Sequence, residues 1–167
     1  MVRPEFFFEN WITVREDSAL AVEAIPEGKL DFKPQDDMMS FREIAVHIIQ
    51  VGRSLTGMML DRETDLSTPD FREKLKKHAK PIAEDAGADL LAAELRSSVQ
   101  EHGRALAGES KEFFAELIRK WDGVELTRLE MLQFVKEHEL THRMQLFMYL
   151  RMNGVVPPTT QRKMAKR

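Results

Sequence analysis

Two histidines near the end of the chain have the type and spacing of metal ligands. His138 and His142 stand four residues apart, which on an α-helix separates their side chains by only about 40°. Both imidazoles therefore leave one face of the helix and can reach the same ion. They also fall within the apolar stretch 131–152, where an unpartnered polar ring would be unfavourable. The pattern predicts a metal site, and a hydrogen-bonded pair of core histidines is the alternative.

The two histidines enclose Glu139, so that residues 138–142 match H-E-x-x-H, the helix motif in which a zinc metalloprotease carries its general base. Such proteases take a third ligand from a position after the helix, but residues 143–167 contain no Asp, Glu or His. No strand that would align a peptide substrate is apparent either. The protease interpretation therefore fails, and a third ligand must come from upstream. Glu139 is kept as a candidate base or ligand-orienting group, with a salt bridge as the alternative.

His47 is the candidate third ligand, because it lies at the inward-facing margin of the second helix's apolar stripe. A set of three histidines leaves coordination positions open for water or substrate, as in catalytic sites. His102 falls near the centre of the third helix's stripe. It is an ordinary core histidine, a fourth ligand, a group that orients a ligand, or a substrate contact. His78 lies among lysines and is expected to be a solvated surface residue.

Four amphipathic helices must position these residues. Their apolar residues recur at helical spacing over residues 5–25, 40–60, 88–107 and 127–153. Ser40 with Glu43, and Thr127 with Glu130, form capping boxes at the starts of the second and fourth helices. Gly154 is the expected C-cap of the fourth helix.

The connections complete the predicted fold. Residues 61–87 form a long polar crossover with a short helix near residues 71–78, and a further short helix is expected within residues 110–121. No segment has a convincing strand pattern. The sequence therefore predicts an all-α four-helix bundle with a long crossover after helix 2. One domain is expected over residues 1–158 and a basic tail over residues 159–167.

Composition excludes several classes of protein. The chain has no cysteine, which rules out disulfides, cysteine nucleophiles and thiolate-bound zinc or iron–sulfur clusters. Its formal net charge of -3 gives no electrostatic reason to expect a nucleic-acid partner. No apolar run is long enough for a signal or membrane segment, so no membrane association and a cytoplasmic location are expected.

Two stretches of the sequence resemble the DinB/YfiT-like superfamily of bacterial metal-binding four-helix bundles. Residues 138–154 resemble the family pattern of two spaced histidines followed by Arg143, Gln145, a Tyr-Leu-Arg triplet that starts at Tyr149, and a glycine. This chain has Met144 where the family pattern has glycine. Residues 39–48 resemble the family's helix-two motif, a serine-capped start that leads to one histidine.

The resemblance implies that His47, His138 and His142 hold a single divalent metal, commonly nickel, zinc or iron, and that the protein is a homodimer. Characterised relatives include metal-dependent thiol S-transferases and maleylpyruvate isomerases that use bacillithiol, mycothiol or glutathione. We therefore expect a metal-dependent enzyme with a small-molecule substrate, of low-molecular-weight-thiol S-transferase or hydrolase type.

The remaining site candidates have less definite roles. Arg143, Gln145 and Tyr149, together with His102, are expected to orient a ligand or contact substrate. Two alternatives to an enzyme stay open. One is a non-catalytic metal-binding bundle, of stress-response or structural type, in which the ion mainly joins helices two and four. The other is a bundle whose histidines bind no metal.

Overall fold

A computed structural model describes residues 3–165 of the chain. The elements within these residues are α1 (Pro4–Glu23), α2 (Phe41–Leu60), α3 (Phe71–His78), α4 (Ala88–Ala107), α5 (Lys111–Ala115), β1 (Leu117–Arg119), β2 (Glu125–Thr127), α6 (Arg128–Met152) and α7 (Pro158–Met164). The four long helices α1, α2, α4 and α6 agree with the four predicted segments. The predicted four-helix bundle with a long crossover after the second helix is confirmed.

Local signals define the ends of these helices. The Ser40 hydroxyl accepts a hydrogen bond from the backbone N–H of Glu43 at 3.1 Å, and a second capping box of Thr127 with Glu130 opens α6. Gly154 follows α6 with a φ of 76°, a backbone conformation that glycine adopts without strain. Both predicted capping boxes are present because their bonds form between residues that are close in sequence, whereas the C-cap of α6 is Asn153, one residue before the predicted Gly154.

The first two long helices are not neighbours in this bundle. Both α1 and α2 pack along α4 and α6, whereas α1 and α2 make few contacts with each other and lie at diagonal corners. Helix α6 therefore has two buried faces, one toward α1 and one toward α2. This arrangement determines where each side chain of the histidine motif points.

The core consists of two apolar clusters with a polar layer between them. One cluster includes Val22, Ile48, Leu95 and Leu150, and the other includes Phe7, Met58, Val99 and Met131. Arg15 of α1 and Glu139 of α6 lie between the clusters and form a salt bridge at 2.8 Å, with exposed fractions of 1% and 2%. Because both charges are buried, each depends on the other for its stability in the core.

The segment between α4 and α6 differs from the prediction. The expected helix is limited to α5, and β1 and β2 then form an antiparallel hairpin in which Ile118 pairs with Leu126. The absence of strands was therefore predicted wrongly. Each strand has three residues, too few for an alternating pattern to be visible. The crossover is hydrogen-bonded to the hairpin. The backbone N–H of Leu66 donates to the carbonyl of Arg119 at 2.7 Å, and the N–H of Arg119 donates to the carbonyl of Thr64 at 2.8 Å.

The predicted basic tail is partly helical. Helix α7 packs against α1, and Arg162 forms an ion pair with the buried Asp17. Lys166 and Arg167 lie outside the described residues. No helix within residues 3–165 combines the length and the apolar character that are needed to cross a membrane.

Candidate metal centre

Helices α2 and α6 bring three of the predicted site residues together. The Nε2 atom of His138 lies 3.2 Å from Nε2 of His47 and 3.1 Å from Nε2 of His142. The ligand atoms of the three residues all lie within 4.8 Å of one another, and each residue is at least partly buried. His47 and His138 are 91 positions apart in the chain, and we call the three residues together the histidine cluster.

The spacing of the nitrogens fits a single metal ion. Imidazole binds zinc at about 2.0–2.1 Å, so two ligand nitrogens on one ion are about 2.9 Å apart at a right angle and about 3.4 Å apart at the tetrahedral angle. The two separations that involve His138, 3.2 and 3.1 Å, lie between these values, and the ligand atoms of all three residues lie within 4.8 Å of one another. No aspartate, glutamate or other histidine within residues 3–165 joins the cluster. Three protein ligands leave positions that a water or substrate can fill.

Gln145 orients one of the three rings. Its side-chain oxygen lies 2.7 Å from Nδ1 of His142. Because an amide oxygen only accepts hydrogen bonds, Nδ1 carries the proton, and Nε2 keeps its lone pair directed at the cluster. Outer hydrogen bonds of this kind fix the tautomer and orientation of metal-binding histidines. The sequence analysis names Gln145 as a residue that orients a ligand or contacts substrate, and the structure places it against His142.

Burial keeps two of the three histidines, His47 and His138, neutral. Desolvation, and secondly the charges of His142 and His47, lower the pKa of His138 to about 4. Desolvation and then His142 also lower the pKa of His47. Near neutral pH these two imidazoles are therefore unprotonated, which is the state that binds metal.

Glu139 lies on a different face of α6. Its carboxylate accepts hydrogen bonds from Nε1 of Trp11 at 2.8 Å, from Nε of Arg15 at 2.8 and 2.9 Å, and from the hydroxyl of Ser18 at 3.0 Å. All three donors belong to α1, whereas the cluster faces α2. The structure does not bring Glu139 to the histidines, and the salt-bridge alternative describes its contacts.

The other candidates also make contacts away from the cluster. The His102 ring stacks on Trp11 with centroids 6.2 Å apart, and its burial lowers its pKa to about 3. Arg143 pairs with Asp17 at 3.2 Å, and the Tyr149 hydroxyl donates to the Met39 carbonyl at 3.0 Å.

His78, which we expected to be solvated, is partly buried. Its ring lies against Gly57 of α2, where an added β-carbon would be 2.3 Å from Cγ, and its Nε2 lies 2.8 Å from the Asp61 carboxylate. The prediction was wrong because the surrounding lysines do not reveal that α3 packs on α2.

Two clefts adjoin the cluster. A cleft of about 970 Å³ is lined by His47 and by charged residues that include Arg42 and Glu43. A smaller groove of about 390 Å³ is lined by His138 and by mainly apolar side chains. Sequence reasoning missed the groove, although Phe71 and Trp121 are large apolar residues in segments outside the four amphipathic stripes.

Fold and site together define a class of protein: four-helix bundles in which two histidines of one long helix meet a third histidine from a neighbouring long helix. The chain belongs to the DinB family, whose model matches residues 1–167. No curated protein matches the sequence.

Solved structures share the fold. The DinB-like protein YjoA of Bacillus subtilis is 20% identical with a TM-score of 0.68, and the alignment covers 89% of this chain and 92% of that one. A DinB-like protein of Bacillus cereus is 17% identical with a TM-score of 0.66, over 92% and 95% of the two chains. YfiT of Bacillus subtilis, described as a probable metal-dependent hydrolase with an unusual four-helix bundle topology, is 17% identical with a TM-score of 0.61, over 89% and 88%.

Proposed function

We propose that this protein binds one divalent transition metal, nickel, zinc or iron, through His47, His138 and His142, and that it is a metal-dependent enzyme acting on small molecules. The observation that carries the proposal is the meeting of three Nε2 atoms with nearest separations of 3.1 and 3.2 Å. Membership of the DinB family and the fold shared with YfiT, a probable metal-dependent hydrolase, support it.

The reaction proposed is the transfer of a low-molecular-weight thiol or a hydrolysis. A metal at this position supplies Lewis acidity, which lowers the pKa of a bound thiol or water, so that the deprotonated, nucleophilic form is present near neutral pH. Gln145 holds His142 in the tautomer that binds the ion. Because the chain has no cysteine, a thiol reaction would take its sulfur from a small-molecule co-substrate.

A non-catalytic metal-binding bundle is the second candidate. It would use the ion mainly to join α2 to α6, and it would be favoured by a complete shell of protein ligands. The described residues offer three ligands, and clefts of about 970 and 390 Å³ adjoin them. These two features favour the enzyme.

Metal analysis of protein purified without a histidine tag tests the proposal. We expect about one equivalent of metal, its loss in His142→Ala, and its retention in His78→Ala, which removes a histidine that is not part of the cluster. Less than half an equivalent, with no rise in Tm on adding nickel or zinc, would contradict metal binding. Gln145→Leu should weaken metal affinity by roughly 10- to 100-fold.

Turnover assays separate the candidate functions. Metal-dependent consumption of one thiol in the presence of an electrophile would indicate the S-transferase type, and metal-dependent cleavage of small esters or amides the hydrolase type. Full metal occupancy without either reaction would favour the non-catalytic bundle. His78→Ala is again the control, since it should leave turnover unchanged while His142→Ala abolishes it.

A further inference from the structure

The smaller groove beside the histidine cluster has aromatic and aliphatic walls. Its apolar lining comes from α2, α3, α6 and the β1–β2 turn and consists of Val51, Leu55, Phe71, Leu75, Trp121 and Phe134. We call this the aromatic groove. Only α2 and α6 belong to the bundle, so the crossover helix α3 and the hairpin turn complete the groove from outside.

The aromatic groove is continuous with the histidine cluster. His138 forms part of its lining, and Gln50 and Ser54 are the other polar residues that border it. A group held in the groove therefore lies beside a ring that also contributes Nε2 to the cluster. A ligand with one end in the groove can present its other end to that site.

The three aromatic rings form a row, and the Lys120 ammonium lies 5.4 Å from the Trp121 centroid and 5.3 Å from the Phe134 centroid. The Phe71 and Trp121 rings are 5.5 Å apart between centroids, and the Trp121 and Phe134 rings are 5.6 Å apart. Trp121 is 39% exposed, while Phe71 and Phe134 are partly buried. A cleft lined mainly by apolar and aromatic side chains, with a few polar groups at its border, has the usual character of a small-molecule pocket. The volume of about 390 Å³ lies at the lower end of the range for small-molecule pockets.

We propose that the aromatic groove binds a flat apolar group, about the size of one aromatic ring, on the substrate whose reacting atom lies at the histidine cluster. This inference rests on the proposed function and adds the substrate class, an amphipathic small molecule with an aryl-sized part. The larger cleft is a less suitable site for an apolar part, because charged groups border it. These include two ion pairs, Arg42 with Asp31 at 2.7 Å and Lys33 with Glu43 at 2.9 Å.

Two hydroxamates with the same metal-binding head provide the test. Acetohydroxamate carries a methyl group and benzohydroxamate a phenyl ring. The ratio of their Kd values on nickel-loaded protein therefore measures how much the groove contributes to binding of the ring. Burial of the ring predicts that benzohydroxamate binds roughly 10- to 100-fold more tightly. Leu75→Trp, which fills the groove, and Phe134→Ala, which removes a wall, should reduce this ratio toward one without changing acetohydroxamate binding. Phe6→Ala is the matched control, because Phe6 is an exposed phenylalanine of α1.

A metal-free measurement separates failure of the groove from failure of the metal site. In EDTA-treated protein, benzyl alcohol should shift the indole NMR signal of Trp121, and ethanol should not. Equal hydroxamate affinities with no such shift would overturn the groove and leave metal binding intact. Absence of metal would overturn the proposed function, and with it the substrate assignment, even if benzyl alcohol binds. A change from dimer to monomer in Trp121→Ala would show that the groove is a subunit interface and would also overturn the inference.

Discussion

Replacement of Glu139 by glutamine is expected to destabilise the fold and to leave metal binding intact. The Glu139 carboxylate is 2% exposed and accepts bonds from Trp11, Arg15 and Ser18. Glu139→Gln keeps the shape of the side chain but leaves the Arg15 cation, 1% exposed, without a carboxylate partner. Removing one member of a buried ion pair costs about 3–5 kcal/mol. For a chain of this size, that loss lowers Tm by roughly 6–20 °C.

The assay is urea and thermal unfolding in EDTA, followed by circular dichroism, with metal content measured separately on the untreated protein. Glu137→Gln is the control, because Glu137 is an exposed carboxylate on the same helix, and it should change stability by no more than about 0.5 kcal/mol. Adding Arg15→Met to Glu139→Gln should restore part of the lost stability, since it removes the unpaired charge.

The reasoning would be refuted by a Glu139→Gln variant that is within about 1 kcal/mol of the wild type and has lost its metal or its turnover. That result would assign the carboxylate to the metal site, as the H-E-x-x-H match suggests. The opposite result, a large loss of stability with one equivalent of metal retained, would assign it to the bundle.

Three further predictions concern other parts of the molecule. Gly57→Ala should destabilise the protein by about 1–3 kcal/mol, because the added β-carbon would lie 2.3 Å from the His78 ring, and unfolding should show that His78→Ala in the same chain removes the effect. In the metal-free folded protein the pKa of His102 is about 3, against about 6.5 in the unfolded chain, so the unfolded state takes up the proton first as pH falls. The contribution of neutral His102 to the free energy of unfolding is thus complete above about pH 6.5, and it should fall by about 2 kcal/mol between pH 7 and 5. A His102→Phe variant whose free energy of unfolding has the same pH dependence as that of the wild type would contradict this. We also propose a homodimer whose contact includes Met144 and Met148, which are 58% and 54% exposed on α6; light scattering should give a dimer mass for the wild type and a monomer mass for Met144→Glu/Met148→Glu.

The parts of the fold that could be predicted from the sequence are those with local causes. Ser40 and Thr127 cap their helices through bonds to residues three positions later, and the apolar stripes follow from the helical period. The hairpin and the position of His78 have distant causes. Arg119 bonds with the crossover at Thr64 and Leu66, and His78 rests on Gly57. Their short-range sequence contains nothing that specifies these partners.

The same distinction explains what was predicted of the site. His138 and His142 share a face because of their spacing, and the stripe of α2 directs His47 inward, so it could be predicted from the sequence that all three lie close together. The aromatic groove could not, because Phe71 and Trp121 belong to the crossover and the hairpin turn, and only tertiary packing brings them to Phe134.

Whether Glu139 lies with the histidines depends on the order of the helices around the bundle. Successive residues of a helix point about 100° apart, so His138 and Glu139 must face different neighbours whenever both sides of α6 are covered. Because α1 and α2 lie at diagonal corners and both pack on α6, the histidine faces α2 and the glutamate faces α1. The neighbouring residues of the motif thereby have separate tasks. His138 belongs to a cluster that can hold an ion, and Glu139 balances a buried arginine between the two apolar clusters of the core.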